Sequence, residues 1–339
     1  MEVCWQNHLR LSAASAALHF RPLSRPRPLI VRLRNWVGDV TLSLPMLQRL
    51  ADHGHELTLL GKGWARDLLA GQGWPVHVLP GSALERVRLL RRLRRETRAA
   101  SDGQHLDALC LPDSFSSALE FRLAGLRALG YAWEGRSALL GHALPRPRGV
   151  HELQVYWQLG DALLGQAAAL PERINLQPSA EQMVQAQSLR VGLGIEPGCV
   201  LICPFAGGTW DQQDKTWPEF AEFVARELPA FGRSVVVCPG PGEEERVARE
   251  HFPGARLLPG VGLGVYAALL KDAALMVSND TGPGHMAAAV GTPLVSVMGP
   301  SNPTLWHAWG PKVEVLGGHG QWPALPAVVQ ATERALSRR

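Results

Sequence analysis

Residues 29–61 read LIVRLRNWVGDVTLSLPMLQRLADHGHELTLLG. The opening LIVRLRNW is an apolar run of strand length, VGDV reads as a turn, and TLSLPMLQRLAD sets Leu42, Leu44, Met46, Leu47 and Leu50 on one side of a helix. ELTLLG starts a second strand. Strand, helix and strand in that order make a parallel βαβ unit, and the pattern recurs: VHVLP (76–80) and LDALCLP (106–112) are further strands with helical segments between them. This describes a doubly wound domain.

The stretch HELQVYWQLGDALLG (151–165) predicts a helix, and QAAALPERINLQPSA after it has the composition of a linker. Beyond it, CVLICPFAGG, SVVVCPG, ARLLPG, AALMVSND and PLVSVMGP are five short strands, separated by helical patterns such as WPEFAEFVARELPAF and EEERVAREHF. A chain of 339 residues exceeds the usual size of one compact core. The expectation is therefore a flexible arm over residues 1–28, an N-terminal domain over 29–170 and a second doubly wound domain over 171–339.

With 46% hydrophobic and 19% charged residues the chain is globular, not disordered or fibrous. No apolar run reaches the roughly 20 residues that span a bilayer, so a soluble chain is expected. The five cysteines (Cys4, Cys110, Cys199, Cys203 and Cys238) are odd in number, several sit in apolar runs, and no second pair or histidine cluster accompanies Cys199 and Cys203. Buried reduced thiols are expected, without a metal site. The net charge of +4 points to an anionic partner; without zinc spacing, an aromatic RNA-binding motif or a recognition helix, nucleic acid is not the expected one.

In doubly wound domains ligands bind at the carboxyl ends of the strands, beside helix N-termini. AALMVSND ends as a strand, TGPG turns and HMAAAV begins a helix, with Pro283 suited to the first helical position. Glycine backbone and a helix dipole there favour a phosphate, although Asp280 and Thr281 could equally cap the helix. His285 could bond a phosphate or pack. A second anion site is PFAGGTWDQQDKTWPEF, where a strand runs into Gly207, Gly208 and Thr209, and Lys215 precedes a helix; Lys215 could hold a diphosphate or neutralise Asp211 and Asp214. Neither a Walker A loop nor a G-x-G-x-x-G after a strand is present. In the other half, Asp39 lies at the first strand-to-helix turn, either as a cap or as a carboxylate able to take a proton from a hydroxyl.

The run LERVRLLRRLRRETR (84–98) carries seven arginines against two glutamates. A solvated helix face and a contact with an anionic acceptor or membrane surface are both compatible with it.

In NWVGDV, HELQVYWQLGDALLG, KTWPEF, GEEER and SNDTGPGHMAAAVGTPLVSVMGPSNP, taken in that order, the chain resembles the heptosyltransferases of bacterial lipopolysaccharide synthesis, glycosyltransferase family 9. The resemblance implies a GT-B fold, two Rossmann-like domains facing across a cleft, with acceptor on the N-terminal side and nucleotide sugar on the C-terminal side. It implies an inverting, metal-independent transfer of a heptose or related sugar from an ADP-sugar to a lipopolysaccharide core acceptor, with no cofactor. Asp39 is then the general base. Thr209, Lys215, Asp280, Thr281, Gly282 and His285 are donor contacts, and Glu243 is the carboxylate that reads the ribose. Gly38, Arg91 and Arg92 are the expected acceptor contacts. The expected partners are ADP-heptose and an anionic glycolipid, in the cytoplasm and against the inner membrane. A nucleotide-sugar epimerase of the same fold and a non-catalytic sugar-nucleotide-binding protein are the alternatives.

Overall fold

The computed structural model describes residues 27–97, 106–207, 209–210 and 212–337. The expected N-terminal arm lies outside the described residues up to residue 26, and its last two residues already belong to the first strand, β1 (Arg27–Arg32).

The first sheet also contains β2 (His55–Gly61), β3 (Val76–Val78), β4 (Ala108–Cys110), β5 (Ala128–Ala132) and β6 (His142–Pro145), all parallel, in the order β3-β2-β1-β4-β5-β6. Helices α1 (Val37–Asp52), α2 (Gly63–Leu68), α3 (Ala83–Thr97), α4 (Phe115–Leu123) and α5 (Glu152–Leu164) accompany it. Alternation along β1 sorts the two faces. Leu29 and Val31 join the core under α1 and α5, whereas Ile30 packs on the opposite face with Leu60, Leu90, Leu93 and Phe121 beneath α3 and α4. Burial on both faces is why the strand reads as a continuous apolar run.

The second sheet repeats the winding. It is built from β7 (Val200–Cys203), then, past a small antiparallel hairpin of β8 (Thr209–Trp210) and β9 (Gln213–Asp214), β10 (Val235–Val237), β11 (Arg256–Leu257), β12 (Leu275–Asn279), β13 (Leu294–Met298) and β14 (Val313–Gly317). Its order is β11-β10-β7-β12-β13-β14, again all parallel. Helices α6 (Ala180–Gly192), α7 (Phe220–Glu222), α8 (Glu243–His251), α9 (Leu263–Lys271), α10 (Gly282–Val290), α11 (Pro303–Trp306) and α12 (Leu325–Ser337) complete it. This is the GT-B arrangement of two Rossmann-like sheets. In each, winding reverses where the first strand lies beside the fourth (β1 by β4, β7 by β12), which opens a crevice at their carboxyl ends.

Several local expectations differ from the structure. Helix α1 begins at Val37, so Gly38 and Asp39 occupy its first turn instead of a turn before it; Trp36 is the extended N-cap. Likewise α10 begins at Gly282, with Pro283 in its first turn and Thr281 at the cap. The stretch WPEFAEFVARELPAF is not one regular helix: α7 passes into a wide turn over Phe223–Glu227 and a tight one over Leu228–Phe231, where Pro229 lacks the N–H a continuing helix would use. Cys110, Cys199, Cys203 and Cys238 are buried free thiols; Cys4 lies outside the described residues. Among the described residues no helix is long and apolar enough to cross a membrane.

Candidate active site

The two crevices face each other, and the N-termini of α1 and α10 almost touch. A Cβ added at Gly282 would lie 2.7 Å from Val37 Cβ, and one at Gly38 would lie 2.9 Å from His285 Cδ2. Only glycine allows this approach. Both helices thus point their positive ends into one cleft of about 450 Å³, lined by Trp36, Gly38, Asp39 and Leu42 from one domain and Gly207, Lys215, Glu244, Asp280, Thr281, Gly282 and His285 from the other.

On the first wall Asp39 is held, not loose. Tyr156 Oη on α5 donates to Asp39 Oδ1 at 2.7 Å, and Arg34, just after β1, stands 3.9 Å from the same oxygen. Among the described residues no hydrogen bond reaches Asp39 Oδ2. Arg34 also donates to Tyr156 Oη at 3.2 Å and to Asp113 at 2.6 Å, and lies 3.3 Å from Glu152. Arg146 closes the network, 2.8 Å from Glu152 and 3.4 Å from Asp113. Burial is the largest single influence on Arg34 and opposes its charge, yet Tyr156, Asp113, Asp39 and Glu152 together raise its pKa above the ordinary value. Arg34 is thus a fixed cation. Burial, followed by the neighbouring Asp39 charge, lifts the Tyr156 phenol well above its usual range, so it stays a proton donor.

On the second wall Lys215 Nζ lies 2.8 Å from Asp280 Oδ2. Ser301 Oγ donates to that same oxygen at 2.6 Å. Asp280 therefore anchors Lys215 and does not cap α10; nor does the Thr281 side chain make a capping bond. The neighbouring Asn279 is fully buried. It accepts from Trp217 N at 3.2 Å and donates to Pro204 O at 2.7 Å, which ties both ends of the Lys215 loop to β12. Asp214 bonds Thr216 N at 2.9 Å instead of Lys215, and Asp211 lies outside the described residues. His285 is 7% exposed and its Nδ1 has no hydrogen-bond partner among the described residues. Burial lowers its pKa, outweighing the opposite pull of Asp280 and Asp39, so a neutral imidazole faces the cleft.

Not every expected residue is brought here. Glu243 stands outside, 2.5 Å from Arg246 on an exposed turn of α8. The next residue, Glu244, lines the cleft and accepts from Gly240 N at 2.6 Å. Arg91 and Arg92, just past the middle of α3, line other recesses and not this cleft. Arg91 is occupied with Leu123 O at 3.0 Å. Thr209 belongs to β8, and its side chain is outside the description. Sequence reasoning missed Tyr156, Arg34, Asp113, Glu152 and Ser301. The signal for Tyr156 was a polar tip on the apolar face of a convincing helix.

The sequence model of glycosyltransferase family 9 (heptosyltransferase) matches residues 88–333. The chain belongs to glycosyltransferase family 9. A family 9 relative, lipopolysaccharide heptosyltransferase 1 of Pseudomonas aeruginosa, is 34% identical over 137 residues, which is 39% of this chain and 38% of the relative. The match thus spans well under half of that protein. Lipopolysaccharide heptosyltransferase 2 of Escherichia coli K12 is 25% identical over 296 residues, 79% of this chain and 82% of the relative. Among solved family 9 structures, that of the E. coli ADP-heptose lipopolysaccharide heptosyltransferase II superposes with a TM-score of 0.75 at 24% identity, covering 92% of this chain and 99% of that one. At that identity the likeness concerns the GT-B fold alone.

Proposed function

We propose that the chain is an inverting, metal-independent heptosyltransferase that moves a heptose from ADP-heptose to an anionic lipopolysaccharide core acceptor. The observation that carries this reading is the pairing across one cleft of a braced carboxylate, Asp39, with an anion cradle made of Lys215 and the α10 N-terminus. The residues over 29–170 would hold the acceptor and those over 171–339 the donor.

In this mechanism the acceptor hydroxyl oxygen attacks the anomeric carbon while its proton passes to Asp39 Oδ2, the oxygen left open by Tyr156 and Arg34. The bond from the anomeric carbon to the diphosphate breaks on the opposite face, so the configuration inverts. The electron pair leaves with the diphosphate. Lys215 and the backbone N–H groups at the start of α10 stabilise that growing charge, the part a metal ion plays in other transferases. Glu244, which lines the cleft, would be the carboxylate that meets the ribose. A glycolipid acceptor would bring the enzyme to the inner membrane from the cytoplasm.

The test is calorimetric titration with ADP, UDP and GDP, without added metal, on the parent and on Lys215→Ala, joined to a transfer assay on Asp39→Asn. ADP should bind selectively and weaken about tenfold or more in the lysine variant, the scale of one charge-assisted hydrogen bond. Asp39→Asn should keep ADP binding and lose roughly 100-fold or more of transfer. Tight UDP or GDP binding would move the donor elsewhere. Sugar conversion without an acceptor would favour the epimerase reading.

A further inference from the structure

The arginine run does not serve the cleft. Helix α3 buries Val87, Leu90 and Leu93 against the sheet, and its outer face carries Arg88, Arg91, Arg92 and Arg95, all exposed. These positions follow the i, i+3, i+4, i+7 spacing of one helix stripe, about 10 Å long at 1.5 Å per residue. Two recesses flank the stripe, and Arg88 and Arg95 line both. One, of about 450 Å³, lies against the end of α4 and adds Arg91, Arg94 and Leu123. The other, of about 630 Å³, lies against the edge strand β3 and adds Arg66, His77 and Arg92.

Local carboxylates do not neutralise this face. Arg92 has a loose, exposed partner in Glu96 at 3.8 Å, and Glu85, which accepts from Ser82 Oγ at 2.7 Å, is the lone carboxylate lining the β3 recess against Arg66, Arg88, Arg92 and Arg95. Among the described residues Arg88, Arg94 and Arg95 have no carboxylate within ion-pair distance. The cationic field is felt by its neighbour: His77 has a lowered pKa, through burial first and then through Arg92 and Arg66, against Glu96. Large apolar side chains border the stripe, with Leu84 59%, Leu123 52% and Val78 41% exposed. Guanidinium groups arrayed with exposed leucines suit a planar anionic surface better than a single small anion, because the charges spread along a line and the apolar groups need a matching boundary.

We propose that the outer face of α3, with the adjoining edge at β3 and the end of α4, docks the protein on a bilayer of anionic phospholipid. The inference rests on the transferase reading only for its purpose, since a surface held this way would keep the cleft near a membrane-borne acceptor.

The experiment measures binding of the full chain to vesicles of phosphatidylglycerol with phosphatidylcholine, and of phosphatidylcholine alone, at 0.1 M and 0.5 M NaCl, for the parent and for Arg88→Gln/Arg95→Gln. Each basic group near an anionic surface contributes about fivefold, so the double variant should bind anionic vesicles roughly 25-fold more weakly. The parent should release them at high salt and ignore neutral vesicles. Transfer to a soluble, delipidated acceptor should be unchanged in the variant; that control separates failure of this surface from failure of the transferase reading and shows that the variant folds. Equal vesicle binding by parent and variant would overturn the proposal, as would a parent that binds no anionic vesicle, or one that binds a short oligonucleotide in its place.

Discussion

Tyr156 and Asp39, 117 positions apart in the chain, are joined by a 2.7 Å hydrogen bond that leaves one carboxylate oxygen facing the cleft. The phenol is buried and rigid in α5, while Asp39 rides on the first turn of α1, so the bond fixes which oxygen is presented. Tyr156→Phe keeps the ring packing and removes this bond. A hydrogen bond to a charged group is worth about 1.5–3 kcal/mol. The variant should lose roughly 10-fold to 100-fold in kcat with ADP affinity unchanged; calorimetry beside a transfer assay checks it, and equal loss in both would mean the tyrosine only supports the fold.

Asp280 holds Lys215 on the opposite wall at 2.8 Å. Asp280→Ala frees the lysine chain and leaves Ser301 without its acceptor. The freed ammonium keeps its charge but must be ordered anew for each ligand, which costs side-chain entropy of about 1–2 kcal/mol. ADP affinity should fall about tenfold. A rise in affinity would show instead that Asp280 repels the diphosphate more than it positions the lysine.

The contact of α1 with α10 can be tested by adding one methyl group. Gly282→Ala would place its Cβ 2.7 Å from Val37 Cβ, and such overpacking costs about 1–3 kcal/mol. Both stability and kcat should drop as the two helix ends move apart. Gly192→Ala in α6 is the control: nothing lies within 4 Å of its Cβ, and alanine in a helix is favoured over glycine by up to about 1 kcal/mol. Thermal midpoints of the two variants should move in opposite directions, and turnover should fall in Gly282→Ala alone.

The doubly wound halves were legible because buried parallel strands advertise themselves as apolar runs: β7, β12 and β13 fall inside segments read as strands, while β1 and β2 begin two residues and one residue ahead of theirs. What escaped were β5, a buried strand whose short ALGYA run carries a glycine, and the two edges β6 and β14. β6 is four residues ending in Pro145, and β14 alternates around Glu314 with intermediate burial. Asp39, Lys215, Asp280 and His285 line one cleft, and they could be singled out in the sequence because glycines and a helix start surround them. Tyr156 and Arg34 were not, since their meaning lies in contacts across more than a hundred positions. On α8 Glu243, singled out in the sequence, is exposed while Glu244 lines the cleft, because three glutamates in a row give no sequence cue to which one a helix turn aims inward. Arg91 and Arg92 stand apart from the cleft lining, since an arginine-dense helix gives no sequence cue to which surface its outer face meets.

Acid should weaken the protein through two histidines, His151, which is buried, and His55, which is half-buried. His151 is the N-cap of α5; its Nδ1 accepts from Leu153 N at 3.1 Å and its Nε2 meets His307 O at 2.9 Å. Only the neutral ring can serve both, because a proton on Nδ1 removes the acceptor. Burial, then the neighbouring His307, pushes His151 from 6.5 down to about 4. Burial and then Arg27 push His55 equally far, to about 4. The folded pKa lies below the unfolded one, so the unfolded chain binds more protons between these values and stability rises with pH there. The contribution is complete above about 6.5 and is lost as pH falls through 4, by up to ~3 kcal/mol for each ring. Urea midpoints should therefore hold from pH 7.5 to about 6.5 and fall from there to pH 4.5. His151→Asn retains a good N-cap but has nothing to titrate, so it should flatten that decline; a parent whose midpoint does not change over the interval would show that neither ring is neutral in the fold.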